Sequence, residues 1–172
     1  KDQYDRYVYL LELGKKFNYD GHQIAEESPF LIQDNMMNAI LIKSNEALIQ
    51  IADDLNLDAI QIEEWQKLSK SNYDNKFWNE KLETYTCYDL RHNKQMEHRE
   101  IGGMVPLFAN IPDIDKANKM NAYLTNLSER GFYLCPSFDV DSPLFDSKRY
   151  WRGPVWPQMN WMIHKGLLNY GF

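Results

Sequence analysis

A run of aromatic and cationic residues late in the sequence carries groups that recognise sugars: Arg149-Tyr150-Trp151-Arg152-Gly153-Pro154-Val155-Trp156-Pro157. Tyr150, Trp151 and Trp156 offer flat apolar faces, each with one polar atom, and such faces match the C–H surface of a pyranose ring. Arg152 adds a planar set of donors for hydroxyl or carboxylate oxygens. Gly153 allows a sharp turn into a helix, whose N-terminus favours an electron-rich ligand atom. The run predicts a carbohydrate-binding surface, with aromatic core packing at a loop-to-helix junction as the alternative.

A second candidate group comes at the start of a strongly periodic apolar segment. Gln33 and Asp34 fall in the first turns of the helix expected there, where a carboxylate offsets the helix dipole. This capping role is one interpretation, and contact with a polar ligand is the other. Asp139, Asp141 and Asp146 precede the aromatic run in a segment rich in turn-forming residues, which favours a structural role for all three.

Other kinds of chemistry lack the residues they need. The four histidines share no metal-ligand spacing, and Cys87 and Cys135 are too isolated to form a zinc motif. The sequence has no nucleophile elbow, phosphate loop or HExxH motif. We therefore expect no metal and no cofactor. Isolated cysteines fit a reducing compartment, so a cytoplasmic location is expected.

The composition is that of an ordinary folded chain. Of its 172 residues, 44% are hydrophobic and 26% are charged, which excludes disordered and disulfide-scaffold classes. The net charge of -6 comes without a basic cluster, so nucleic acid is not an expected partner. The apolar runs, such as 39–42, are far shorter than the roughly 20 residues of a membrane-spanning helix. No membrane association is expected.

The elements that would position these residues are mainly helices. A helix is predicted over 4–16, and a polar loop over 18–28. Pro29 is expected to open a long amphipathic helix that buries its most apolar positions, Met37, Ile40, Leu41, Leu48 and Ile51. Asp58 is expected to cap the next helix, and a short helix is predicted through Phe77, Trp78 and Leu82.

The second half of the sequence predicts a small hairpin and two further helices. Residues 83–100 contain β-prone residues around a possible turn at His92-Asn93-Lys94. A helix is expected from Asp113 or Asp115 to a stop at Gly131. An irregular segment should follow over 132–153, and Pro154 should begin the last helix.

Paired antiparallel helices of this kind fit either a bundle or solenoid, or an arc of an (α/α) barrel. The periodicity does not decide between them. The sequence starts without Met and stops after an apolar run, so we expect a segment of a longer domain, truncated at both ends.

A specific resemblance rests on the motifs already described. The stretch 150–157, with Asn160-Trp161 and 166–171, is similar to the signature of glycoside hydrolase family 63, especially its bacterial mannosylglycerate and glucosylglycerate hydrolase-like members. A second similar stretch runs from Pro29 through Asp34 to Leu48. Shorter matches at 106–112 and 136–146 occur in the same order, so the resemblance covers nearly the whole sequence.

The resemblance implies an all-α fold, in which the chain is an arc of an (α/α)6 barrel, or six-hairpin toroid, with a small β-hairpin insertion. Residues 1–172 would be part of one catalytic domain. It also implies an inverting α-glycosidase acting on an α-glucoside or α-mannoside. The family's acid and base motifs have no counterpart here, so no catalytic residue is assigned. Substrate-binding roles are implied for Gln33, Asp34, Tyr150, Trp151, Arg152, Gly153 and Trp156.

The expected partners are a carbohydrate substrate and the remainder of the same polypeptide, without which the segment could self-associate. A noncatalytic helical domain that binds carbohydrate or protein is the alternative function.

Overall fold

The computed structural model describes residues 2–172, which are mostly helical with a few short strands. Six α-helices and one 3-10 helix account for most of the ordered backbone. In chain order the elements are α1 (Asp2–Lys16), α2 (Gly21–Glu27), β1 (Ile32–Gln33), α3 (Asn35–Asp54), α4 (Ile60–Phe77), β2 (Trp78–Asn79), β3 (Thr84–Tyr85), β4 (Tyr88–Asp89), β5 (Lys94–Gln95), the 3-10 helix (Ile101–Leu107), α5 (Ile114–Glu129) and α6 (Pro157–Asn169).

Aspartate caps decide where three helices begin. Asp20 accepts a hydrogen bond from the Gln23 amide and starts α2, so the polar loop predicted over 18–28 is wrong. Asp34 caps α3 by accepting from the Met37 amide. The prediction that Pro29 opens this helix is also wrong, because the short strand β1 intervenes. Of the two starts predicted for α5, Asp113 and Asp115, the structure has Asp113 as the cap.

The last helix begins three residues later than predicted. Pro157, rather than Pro154, occupies the first turn of α6, and both prolines suit that position. The backbone of Pro154 is used elsewhere: its carbonyl accepts a hydrogen bond from the Ser137 amide at 3.1 Å. This bond closes most of the irregular segment predicted over 132–153 into a loop, and the structure has no helix and no named strand in that segment.

The predicted hairpin within 83–100 is confirmed. Strands β4 and β5 pair antiparallel around Asn93, whose φ of 52° turns the chain, and β1 adds to the other side of β4. The short helix predicted through Trp78 and Leu82 is wrong. These residues instead belong to the β2–β3 hairpin, whose turn is closed by the Asn79 side chain accepting from the Leu82 amide.

The 3-10 helix occupies the centre of the core. Its residues Met104, Val105 and Leu107 are almost completely buried. Helix α6 packs directly on it, because Gly166 presents no side chain: an added Cβ would lie 2.6 Å from the Leu107 Cβ. The remaining large buried side chains come from several elements and include Ile42, Tyr85, Met120 and Leu127.

Helix α3 buries a different face from the one predicted. Its buried residues are Asn35, Ala39, Ile42, Asn45 and Ala52. The predicted core residues Met37, Leu41, Leu48 and Ile51 are exposed, each by 46% or more. Small and polar side chains allow the close approach of α3 to the 3-10 helix and α4, which leaves the largest apolar side chains on the opposite face.

Within residues 2–172, no helix is both long and apolar enough to cross a bilayer.

Candidate functional site

A cavity of about 250 Å³ brings together three distant segments of the chain. One wall comes from the start of α3, another from the loop before the 3-10 helix, and the third from the irregular segment. The lining residues are Asp34, Asn35, Met36, Cys87, Glu100, Ile101, Gly102, Ser137 and Trp151. Asp34 and Trp151, which belong to the two separate candidate groups of the sequence, therefore meet at one site.

The α3 wall supplies polar groups held by the helix start. Asp34 accepts the Met37 amide at 2.8 Å through one carboxylate oxygen. Asn35 is only 1% exposed, and its main-chain carbonyl accepts the Tyr73 hydroxyl at 2.6 Å. Its side-chain nitrogen lies 3.6 Å from the Cys87 sulfur. The side-chain Oδ1 of Asn35 has no hydrogen-bond partner among the described residues.

Glu100 is a lining residue that sequence reasoning missed. It stands directly before the 3-10 helix, and no motif marks it in the sequence. The protein atoms around its carboxyl and the negative charge of Asp34 raise the pKa of Glu100, whereas His98 acts in the opposite direction. Asp34 and Glu100 thus place two carboxyl groups at one cavity.

The aromatic residues of the predicted sugar surface pack on one another. Trp151 and Trp156 are stacked, and the Tyr150 ring stands edge-on to Trp156 with centroids 5.1 Å apart. Tyr150 has a φ of 26°, a backbone conformation that is costly for a bulky residue. Trp151 is 40% exposed and reaches the cavity, whereas the Trp156 Nε1 is buried without a protein partner in residues 2–172.

Arg152 and Gly153 organise the loop that carries these rings. The Arg152 guanidinium donates from Nε and Nη2 to the Leu144 carbonyl, at 3.0 and 2.7 Å. Gly153 is buried, and its amide donates to the Ser137 hydroxyl at 2.9 Å. A Cβ at position 153 would clash with the Asp146 main chain, so the close approach requires glycine. Neither residue lines the cavity.

Two more side chains fix the irregular segment. Asn160 of α6 clamps the Cys135 main chain, accepting its amide at 2.8 Å and donating to its carbonyl at 3.0 Å. Arg130 forms a bidentate ion pair with Asp141 at 2.9 and 2.7 Å. The Asp141 amide donates to the Asp139 carboxylate at 3.1 Å, which gives Asp139 the turn-forming role expected from the sequence.

Gln33 does not line the cavity, although it precedes Asp34 in the chain. It lies in β1, paired with Tyr88 of β4. Its Oε1 is buried and lacks a protein partner within the described part of the chain. Of the seven predicted binding residues, the structure therefore brings Asp34 and Trp151 to the cavity and stacks Trp156 on Trp151.

The two cysteines are not poised as nucleophiles. Both are free and buried, and burial raises the pKa of Cys87 to about 11 and that of Cys135 to about 12. They remain protonated thiols at neutral pH. Among the described residues, no group of three or more His, Cys, Asp or Glu side chains is arranged to hold a metal ion.

Solved structures that match the whole chain include a glycoside hydrolase of family 63. The crystal structure of the mannosylglycerate hydrolase from Thermus thermophilus in complex with Tris matches 100% of this chain and 41% of its own, with a TM-score of 0.95 and 37% identity. The complex of that enzyme with glucose matches 99% of this chain and 43% of its own, with a TM-score of 0.95 and 36% identity.

The chain belongs to the mannosylglycerate hydrolase MGH1-like glycoside hydrolase domain family, whose model matches residues 1–171. A mannosylglycerate hydrolase of Thermus thermophilus is 37% identical over 100% of this chain and 41% of its own length. That of Rubrobacter radiotolerans is 32% identical over 98% of this chain and 39% of its own. A glucosylglycerate hydrolase from Mycolicibacterium hassiacum is 23% identical over 94% and 38%. The chain thus spans about two fifths of the length of these relatives.

Proposed function

We propose that the protein to which this chain belongs hydrolyses an α-glycoside, with an α-mannoside or α-glucoside of glycerate as the substrate. The observation that carries the proposal is the cavity where Trp151 meets the polar groups of Asp34, Asn35 and Glu100. An aromatic face beside hydrogen-bonding side chains suits a sugar, which has apolar C–H faces and hydroxyl edges. The mannosylglycerate and glucosylglycerate hydrolases named above support the choice of substrate.

The role proposed for these 172 residues is substrate binding within a larger catalytic domain. Inverting hydrolysis needs an acid and a base whose carboxyl groups are roughly 6.5 to 9.5 Å apart, with a water between them. We place this pair outside residues 1–172, in the remainder of the polypeptide. Tyr150, Arg152, Gly153, Trp156 and Gln33 then support the surface on which the sugar lies.

The domain is proposed to be an (α/α)6 barrel of which this chain forms an arc. The support is the amount of apolar surface that the chain leaves open, especially on α1 and α3. Tyr4, Tyr7, Val8 and Leu11 of α1 are exposed by 53% or more. Neighbouring parts of the same polypeptide would cover these faces, and the separate chain would self-associate through them. A cytoplasmic location remains part of the proposal, supported by the two free thiols.

The proposal is tested with the complete polypeptide and with residues 1–172 alone. The complete protein should release D-glycerate from mannosylglycerate or glucosylglycerate, and NMR of the first product should show the inverted anomer. The separate 172 residues should show no turnover and should form oligomers in solution. Sugar binding by the complete protein without hydrolysis of any α-glycoside would favour the noncatalytic binding domain instead.

A further inference from the structure

We propose that Ser137 is a positioning residue that holds Trp151 in place relative to the start of the 3-10 helix. The proposal rests on the function proposed above in one respect: Trp151 is the ring that contacts the substrate, so its placement affects the KM of the complete enzyme. The role assigned to Ser137 is to connect two walls of the cavity through hydrogen bonds made within residues 2–172.

The main chain at Ser137 lies between two other segments of the chain. Single antiparallel bridges pair Phe138 with Glu100 and Pro136 with Val155. One neighbouring segment therefore leads into the 3-10 helix, and the other belongs to the aromatic run. Because the two neighbours contribute different walls of the cavity, the segment between them fixes how those walls are spaced.

Ser137 itself makes three of the hydrogen bonds that join these segments. Its carbonyl accepts the Ile101 amide at 3.3 Å, and its amide donates to the Pro154 carbonyl at 3.1 Å. Its side-chain Oγ accepts the Gly153 amide at 2.9 Å. The two main-chain bonds do not depend on the side chain, whereas the third exists only because residue 137 carries a hydroxyl. A substitution can therefore isolate the contribution of the hydroxyl.

The bond between Ser137 and Gly153 is costly to lose because both partners are inside the protein. Ser137 is 2% exposed, and Gly153 is buried. A buried amide without an acceptor carries a desolvation penalty, which exceeds the net value of an ordinary hydrogen bond. Removal of Oγ would therefore drive the Gly153 peptide to turn toward another acceptor or toward water, and the chain beside it would move.

Trp151 is placed to respond to such a movement. It precedes Gly153 by two residues, and both Trp151 and Ser137 line the cavity. The main chain here is tightly packed, because a Cβ added at Gly153 would lie 2.4 Å from the Asp146 carbonyl oxygen. The Tyr150 φ of 26° is a costly conformation that persists only while the surrounding structure holds it. A change at the Gly153 amide is then passed to the Trp151 indole.

The test compares Ser137→Val with Ser137→Thr in the complete polypeptide. The two side chains have the same shape but only threonine keeps a hydroxyl, so the effect of the extra bulk cancels. With mannosylglycerate or glucosylglycerate as the substrate, we expect KM to be about fivefold higher or more in Ser137→Val, the scale of one lost hydrogen bond. The two kcat values should agree within about twofold, because the loss falls on substrate binding and the proposed acid and base lie outside residues 1–172.

A merely structural role predicts a different result, since fewer folded molecules lower the apparent kcat and leave KM unchanged. Thermal unfolding is measured first. If Ser137→Val does not fold, Ser137→Ala removes the hydroxyl without added bulk and is compared with the wild type. Ser28→Val is the matched control and should keep the wild-type KM. Ser28 is 3% exposed, its Oγ accepts the Phe30 amide at 3.2 Å, and it does not line the cavity.

Fluorine NMR of the ligand-free protein, labelled with fluorotryptophan, tests the placement of the ring directly. The Trp151 signal is identified by its loss in Trp151→Phe. We expect this signal to shift or broaden in Ser137→Val relative to Ser137→Thr, and to stay unchanged in Ser28→Val. The signal of Trp65, which is exposed on α4 and does not line the cavity, is the internal reference.

Equal KM values in the valine and threonine variants of an active enzyme overturn the proposal. A raised KM with an unmoved Trp151 signal also overturns it, because the Ser137 hydroxyl would then act on the substrate directly. If the wild-type protein hydrolyses neither glycoside, the proposed function fails. The Trp151 signal then decides by itself whether Ser137 positions the ring.

Discussion

The indole rings of Trp151 and Trp156 are stacked, with their centroids 4.5 Å apart and 18° between their planes. Trp156 therefore covers one face of Trp151 and holds the ring in place. Tyr150 completes the group by meeting both indoles edge-on. The outcome is a rigid aromatic surface in which Trp151 is the member that reaches the cavity.

Replacing Trp151 by alanine should lower kcat/KM of the complete enzyme for an α-glycoside. We expect a loss of roughly tenfold or more, equivalent to about 1.4 kcal/mol of transition-state stabilisation, because both the sugar contact and the stack are removed. Trp65→Ala is the control, since Trp65 is 55% exposed on α4 and away from the cavity. If Trp151→Ala folds and keeps its kcat/KM, the aromatic group serves core packing rather than sugar binding.

Glu100→Gln should stabilise the protein at neutral pH and have no such effect in acid. Crowding by protein atoms and the charge of Asp34 raise the pKa of Glu100, opposed by His98. The folded state therefore holds the proton more tightly than the unfolded state, and stability falls as pH rises from the ordinary glutamate range through the raised pKa. Thermal midpoints measured across this pH range check the prediction. A difference between variant and wild type that is constant with pH would contradict it.

Gly166→Ala should destabilise the chain, although alanine is the better helix former by about 1 kcal/mol. The added Cβ would lie 2.6 Å from the Leu107 side chain and 2.7 Å from the main chain of Leu107 and Phe108. Overpacking of this kind costs about 1 to 3 kcal/mol. Gly21→Ala is the control because a Cβ there meets nothing within 4 Å. Urea denaturation of both variants gives the comparison, and equal stability would mean that α6 can move away from the 3-10 helix.

The variants Ile42→Ala and Leu48→Ala compare the stability contributed by the buried face of α3 with that contributed by its exposed face. Ile42 is 0% exposed and Leu48 is 46% exposed, so Ile42→Ala should cost about 2 to 5 kcal/mol. Leu48→Ala, at a position that the sequence predicted to be buried, should lose clearly less in the separate 172 residues when they are diluted to monomers. If the remainder of the polypeptide covers this face, the cost of Leu48→Ala rises in the complete protein. Equal losses in the two settings would count against the proposed arc.

The helical character, the hairpin around Asn93 and the cap at Asp113 could be predicted because each depends on local residues. The buried face of α3 could not. Periodicity identifies an apolar stripe on a helix. It does not show whether that stripe packs against this chain or against another part of the polypeptide. Helix α3 has Met37, Leu41 and Leu48 on one face and Ala39 and Ile42 on another, and the small residues face the core of this chain.

The candidate site was predictable in part. The aromatic run and Asp34 were identified by residue type, and the structure brings Asp34 and Trp151 to one cavity. Arg152 was expected to be a ligand donor, yet two of its nitrogens bind the Leu144 carbonyl. Glu100 was missed because its position depends on the pairing of segments far apart in sequence, and a single glutamate before Ile101 and Gly102 carries no local signal.

The construction of the cavity from three separated segments also bears on how the protein reaches its native state. Any state of the chain in which residues 137–151 are not docked against the start of α3 lacks one wall of the cavity. A ligand of this cavity then binds only the native state. Such a ligand shifts the folding equilibrium toward the native state by mass action. A sugar that occupies this cavity will therefore act as a chemical chaperone, rescuing the yield of variants whose docking is weakened.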